Sequence, residues 1–417
     1  MTMERVVITG IGALTPIGNN VPAYKAGLLE GVSGAAEITR FDASLFRTKF
    51  ACEVKGFDIE QHYHRREARR MDPFSQYAMV VVDEAMAMSG LLDYEYDPLR
   101  TGVIWGSGIG GFKTLEDEIS AAALREGPPK YNPFLIPKLI IDIASGHISM
   151  KYNLQGPNYA VVSACATSNN SIISALDTIR LGRADVIVTG GSEAAITKTG
   201  IGGFGSMKAL SPRNDDPRTA SRPFDRDRDG FVLGEGGGAL ILESLTHARK
   251  RKANILAEVA GAGMSADAHH ITAPHPEGIG VHAVMSEALK DAKMNPEDID
   301  YINVHGTSTP LGDIAESVAI KKVFGDHAYT LNISSTKSMT GHLLGAAGAI
   351  EAIAGILALN EGVIPPTINH FTDDPEIDNK LNFTFNQAQE RDISTVLSNT
   401  FGFGGHNATV IFKKYVG

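Results

Sequence analysis

The chain has 417 residues, with 44 glycines, 19 prolines, 2 cysteines, 43% hydrophobic residues and 21% charged ones. At about 100 to 200 residues per domain, that length predicts two or three domain-sized units or one large duplicated fold. A formal charge of −10 argues against general affinity for nucleic acid or anionic membrane, and two cysteines cannot build a disulfide scaffold.

The opening segment MTMERVVITGIGALTPIG reads as a strand and turn, not a signal peptide, because its apolar run ends at Gly10. Short β-branched runs predict strands at Val6–Thr9, Gly102–Trp105, Tyr159–Ser163, Val186–Thr189, Ala239–Glu243, Ile255–Ala260, Tyr301–His305, Asn332–Ser335, Thr395–Thr400 and Ala408–Phe412. Helical patterns fall between them, at Asp72–Ser89, Cys165–Leu181, Gly280–Ala292, Asp313–Phe324 and Gly341–Asn360. The alternation predicts an α/β fold with buried sheets. Gly341 to Leu359 is the most membrane-like stretch, but His342 and Glu351 interrupt it, which predicts a buried or amphipathic helix. A soluble, cytoplasmic protein is expected.

Two internal likenesses suggest duplication. Val6 to Ala13 and Ala257 to Gly263 are both apolar strands running into a Gly-x-Gly turn, and Tyr159–Leu181 and Leu331–Asn360 share the order strand, small-residue turn, long helix. Two related halves, 1–250 and 251–417, follow, with a site where equivalent turns meet.

Several residues carry chemical potential in those turns. Cys165, in VVSACATSNN, lies at the start of a helix, where unpaired N–H groups and the helix dipole favour a thiolate; a buried structural cysteine is the alternative, and the one that suits Cys52. His305 ends a strand and enters a Gly-Thr-Ser-Thr turn, while His342 opens the second-half helix at the position that pairs with Cys165. Lys337 and Glu351 flank His342 as a buried pair or a surface one. Phe401 to Asn407 is either a plain glycine-rich hairpin or a turn that aims an N–H at an oxyanion. Gly106 to Gly111 satisfies G-x-G-x-x-G outside an opening βαβ unit and without a ribose-binding acid, so it points only faintly to a dinucleotide. Asp267, His269, His270 and His275 cluster without a zinc spacing. Arg65 with Arg69 and Arg66 with Arg70 sit at i,i+4, as a solvated helix end or as a docking face for an acidic partner.

Taken together, SACATS around Cys165, VHGTSTPLGD around His305, KSMTGHLLGAAGAIE from Lys337 to Glu351, RPFDRDRDGFVLGEGGG from Arg222 to Gly238 and FGFGGHN from Phe401 to Asn407 resemble the β-ketoacyl-acyl carrier protein synthases. The resemblance runs the length of the chain and is most like the synthase II type, although His406 stands where some members have threonine. It implies a thiolase-like fold, two duplicated halves forming a five-layered αβαβα sandwich, in a homodimer. It implies decarboxylative condensation of an acyl-enzyme with malonyl-acyl carrier protein in fatty acid elongation. Catalysis would rest on Cys165, His305, His342, Lys337 and Glu351, with the N–H groups of Cys165 and Phe403 as oxyanion hole. Ile109, Phe134 and Phe204 would shape the acyl tunnel, and Thr307 and Thr309 would bind phosphopantetheine, which arrives on the carrier protein so that no resident cofactor or metal is needed. Arg65, Arg66, Arg69, Arg70 and Lys208 would meet the carrier. The alternatives are an enzyme of this fold acting on coenzyme A thioesters and a non-catalytic chain-length subunit, which usually lacks the cysteine.

Overall fold

The structure, a computed structural model, describes residues 3–417. Ten of its strands form one sheet: β1 Val6–Leu14, β2 Thr101–Gly106, β3 Asn158–Val161, β4 Val186–Glu193, β5 Gly236–Ser244, β6 Ala257–Ala266, β7 Tyr301–Asn303, β8 Asn332–Ser334, β9 Thr395–Gly402 and β10 His406–Lys413. Their spatial order is β8-β7-β9-β10-β6-β1-β5-β4-β2-β3. Read outward from the centre, the first five run β1-β5-β4-β2-β3 and the next five β6-β10-β9-β7-β8, the same order shifted by five places. Directions repeat as well. β2 is parallel to β3 and β4, as β7 is to β8 and β9, while β1 lies antiparallel to β5 and β6 to β10. The two sets join where β1 pairs antiparallel with β6, Val6 opposite Val259 and Ile8 opposite Ala257.

Ten helices are relevant to the site: α1 Arg65–Ala68, α2 Pro73–Ser89, α3 Phe112–Leu124, α4 Leu135–Leu139, α5 Ile143–Tyr152, α6 Thr167–Arg180, α7 Lys198–Ser206, α8 Ile279–Ala292, α9 Pro310–Phe324 and α10 Ala347–Glu361. Asp72 starts α2 by accepting the Phe74 N–H at 3.2 Å, Pro73 fills the first helical position, and Gly90 ends the helix with φ of 70°. Three buried clusters define the layers. α2 and α5 cover one outer face through Tyr77, Val81, Ile148, Val188 and Ile241, and α8 and α9 cover the other through Val284, Leu289, Ile320, Ile302 and Leu397. Between the sheet faces lie α6 and α10, with Ile172, Leu176, Ile350, Ile353 and Leu359 against Ile104, Leu240, Val396 and Val410. This is the five-layered α/β sandwich of the thiolase fold.

The central position of α10 explains its composition. Leu344–Glu361 is apolar and long enough to cross a membrane, yet 83% of that stretch is buried inside the protein. Helix starts differ from the sequence expectation where a tight turn comes first. α6 begins at Thr167 after a 3-10 turn at Ala164–Ala166, and α10 begins at Ala347 after one at Leu344–Ala346.

Candidate active site

Those two 3-10 turns are equivalent. Each opens on a non-glycine residue in the left-handed region, Ala164 with φ of 51° and Leu344 with φ of 48°. Cys165 therefore corresponds to Gly345, and the expected pairing of Cys165 with His342 is corrected by three residues. Cys165 is 7% exposed and borders a cavity of about 460 Å³ together with Phe204, Lys208, His305, Thr307, Thr309, His342 and Phe403. Residues spread in sequence from Cys165 to Phe403 thus meet at one place.

The electrostatics of Cys165 also differ from expectation. Burial pushes its thiol up to about 12, against the positive charge of Lys337 and the N–H groups of Phe403 and Cys165 itself, which pull the other way. The helix-start donors are present, but desolvation outweighs them, and the thiol holds its proton. Phe403 lies in the turn between β9 and β10, where Gly404 and Gly405 have φ of 89° and 74°. Such angles need glycine, and they bring the Phe403 N–H to the sulfur.

The histidine rings stand edge to face, with centroids 5.3 Å apart, and His342 meets the Phe231 ring at the same distance. Burial, then the Lys337 charge, holds both rings well below the usual histidine range, so both are neutral at physiological pH. Nδ1 of each is buried without a hydrogen-bond partner among the described residues. His305 is fixed through its backbone: its N–H and that of Gly306 both donate to Glu316 on α9, at 2.9 Å. Lys337 and Glu351 are each 1% exposed and directly paired. This is the buried alternative of the two open to the sequence. Glu351 Oε2, Asn303 Oδ1 and Ser398 Oγ are buried and unpartnered among the described residues. Asn303 and Ser398 are register partners on β7 and β9.

The buried ionic motif Arg222 to Gly230 fastens the His305 loop. Arg228 donates to the carbonyls of Thr309 (3.2 Å) and Pro310 (2.8 Å) and pairs with Asp374 at 2.6 Å and Asp313 at 3.4 Å. Ser308, with φ of 67°, accepts the Arg222 N–H on its hydroxyl at 3.0 Å and the Gly230 N–H on its carbonyl at 3.1 Å. Thr307 and Thr309 are thereby held with their hydroxyls 3.0 Å apart.

Some expected residues lie elsewhere. Phe134 is 40% exposed under the Arg70 guanidinium, 5.1 Å from its ring, and does not line the cavity of its own chain. It stands at the N-terminus of α4, so within one protomer it is a surface residue and not part of the tunnel wall expected of it. Ile109 sits behind the cavity wall, in one apolar cluster with Cys165, Phe204 and Leu344. α1 is a single turn, too short for the two-face argument; Arg65 pairs with Glu60 at 3.3 Å and Arg70 turns to Phe134, while all four arginines remain exposed. Cys52 is 1% exposed and packs where a Cβ on Gly341 would lie 2.8 Å from its sulfur, a structural place. The Gly106–Gly111 loop is tied down by Glu193, which leaves no open phosphate cradle. The histidine cluster is used locally: Asp267 accepts from Asn407 at 2.8 Å, and His270 Nδ1 from two backbone N–H groups at 3.1 Å. Sequence reasoning missed Glu316 and Glu193. Glu316 was legible as an acid on the apolar face of α9, and Glu193 as an acid closing the small-residue strand end TGGSE.

A thiol, two neutral imidazoles and two aimed backbone donors around one cavity, between the halves of a thiolase fold, define a condensing enzyme of the thiolase class. The chain belongs to the β-ketoacyl synthase family: the family's N-terminal domain matches residues 3–248 and its C-terminal domain residues 256–371. It is 50% identical over 414 residues to 3-oxoacyl-[acyl-carrier-protein] synthase 2 of Coxiella burnetii, covering 99% of each chain. To the protein of the same name from Synechocystis it is 49% identical, covering 99% of this chain and 98% of the other. A ketosynthase of a type II PKS, solved in complex with its acyl-carrier protein and bound to the hexaketide, superposes with a TM-score of 0.92 at 32% identity, covering all of both chains.

Proposed function

We propose that this protein is a β-ketoacyl-acyl carrier protein synthase of the synthase II type, which lengthens acyl chains in fatty acid synthesis. The observation that carries the reading is the convergence of Cys165, His305, His342 and the Phe403 N–H on one cavity. In the first stage the carbonyl of an acyl thioester enters between the N–H groups of Cys165 and Phe403. The sulfur attacks as the thiol gives its proton to a neutral imidazole, and the carrier thiol leaves with that proton. In the second stage His305 and His342, being neutral, each donate one N–H to the thioester carbonyl of malonyl-carrier protein. The bond to the carboxylate breaks, carbon dioxide leaves, and the electron pair rests as an enolate on those donors. The enolate carbon then attacks the acyl carbonyl, a carbon–carbon bond forms, and Cys165 leaves as thiolate and takes up a proton from solvent. The buried Lys337–Glu351 pair sets the potential around both stages without reaching substrate.

On this reading residues 1–250 supply the nucleophile and 251–417 the histidines. Thr307 and Thr309, on the cavity wall, bind the phosphopantetheine arm, and the chain needs no cofactor of its own. Arg65, Arg66, Arg69, Arg70 and Lys208 supply positive charge for an acidic carrier on a chain of net charge −10. The working form is a cytoplasmic homodimer. The intact nucleophile favours this reading over a non-catalytic subunit. Mass spectrometry of the protein after exposure to acyl-carrier protein tests it: an acyl adduct on Cys165 that is absent in Cys165→Ala is expected. An adduct that persists in the variant, or one formed only from coenzyme A thioesters, overturns it.

A further inference from the structure

Glu193 takes no part in the chemistry above, yet its carboxylate lies where the two halves cross beside Cys165. It ends β4 and is fully buried. Oε2 accepts the N–H of Gly108, from the first half, at 2.8 Å, and that of Gly345, from the second, at 3.0 Å. Oε1 accepts the Ser107 hydroxyl at 3.0 Å and the Ile109 N–H at 3.2 Å. Burial pushes this carboxyl up to about 7 even though four donors hold it and pull the other way.

The crossing has no room to spare. A Cβ on Gly345 would stand 2.2 Å from Gly108 N and 2.7 Å from Glu193 Oε2, and one on Gly108 would meet that oxygen at 2.7 Å. Ser168 Oγ holds the Gly345 carbonyl from the other side. The residues bracketed by these bonds, Ile109 and Leu344, share an apolar cluster with Cys165 and Phe204. Leu344 keeps its left-handed φ of 48°, a conformation that leucine holds only when its surroundings over-determine it.

Resting on the acyl-transfer reading of the cavity, we propose that Glu193 is a positioning residue that sets the acyl pocket by fixing the backbones of Ile109 and of Leu344–Gly345 against Cys165. Its own atoms touch no substrate. Glutamine at this place keeps an oxygen for Gly108 and Gly345 and lets the Ser107 hydroxyl turn to accept from the new amide, but it leaves the Ile109 N–H facing an NH2 group. Glu193→Gln therefore releases Ile109 selectively.

The test measures Cys165 acylation by carrier proteins bearing short, medium and long acyl chains, beside decarboxylation of malonyl-carrier protein, in wild type, Glu193→Gln and Ser107→Ala. In Glu193→Gln, kcat/KM for long chains is expected to fall on the order of tenfold relative to short ones, while decarboxylation changes less than about twofold. Ser107→Ala, which removes one bond to the carboxylate, moves the profile in the same direction by less, and supplies the measurement if Glu193→Gln fails to fold. Equal loss for every chain length and for decarboxylation, or no change in either variant, overturns the proposal. Absence of acylation in wild type overturns the acyl-transfer reading itself.

Discussion

Cys165 shows how two residue-level effects of opposite sign are settled by burial. Helix-start N–H groups and Lys337 favour the thiolate, and desolvation opposes it and prevails, leaving the thiol near 12. Below that value the thiolate fraction rises tenfold per pH unit, so alkylation of Cys165 by iodoacetamide is expected to climb steadily from pH 7 to pH 10 without a plateau. Lys337→Met removes the nearest charge that lowers the thiol and is expected to slow alkylation at pH 8 by on the order of tenfold. A plateau below pH 8 in wild type, or an unchanged rate in the variant, would refute this balance. Residue identities at the site were legible in the sequence because Cys165 and His305 stand in small-residue turns after strands and His342 in one after the short helix Lys337–Thr340. The sign of the thiol shift was not, since it depends on how much protein surrounds the sulfur.

At the level of elements, the His305 loop is held from behind by the motif Arg222 to Gly230. Arg228 is buried against two carboxylates and the carbonyls that start α9. Replacing it with methionine leaves Asp313 and Asp374 buried without their cation, which typically costs about 3–5 kcal/mol. Arg228→Met is expected to lower the urea midpoint accordingly and to raise the KM for carrier-bound substrates, because Thr307 and Thr309 lose their support. A loss below about 1 kcal/mol would show that the loop stands without it. The sequence marked this motif only as part of a resemblance; its structural role follows from the burial of Arg222, Asp225 and Arg228, the last against Asp313 of α9. α1 shows the reverse case. Its i,i+4 arginines suggested a helical face, but the turn ends at Ala68, and Pro73 starts a new helix under the Asp72 cap. Strand order was legible to the extent that the two Gly-x-Gly pairs repeated, although both lie inside β1 and β6 and not in the turns expected after them, whereas the equivalence of Cys165 with Gly345 was hidden by dissimilar side chains and appears only in the matched backbone angles.

For the whole molecule, the repeat in the sheet is complete except at its two ends. The β8 end is closed by chain from the same molecule: Asn332–Ser334 is buried, and Ile333 N–H donates to the Asn382 carbonyl at 2.8 Å. The β3 end is open, with Tyr159 42% exposed on a strand paired on one side only and Val162, just beyond its last residue, 55% exposed. An unpaired apolar edge recruits another strand, and a two-fold axis allows β3 to pair antiparallel with its own copy, which extends the sheet from ten strands to twenty. A homodimer built on β3 is therefore expected, with the turn that carries Cys165 only a few residues from the interface. Tyr159→Lys with Val162→Lys places like charges opposite each other across that axis while leaving β2–β3 pairing intact, and is expected to weaken association by on the order of a hundredfold. Sedimentation velocity over a range of concentrations reads the outcome. A wild type that is monomeric at micromolar concentration, or a double variant that associates as tightly as wild type, would place the interface elsewhere. If the variant is monomeric but still folded by circular dichroism, its acylation rate then measures how far the nucleophile turn depends on the neighbouring subunit.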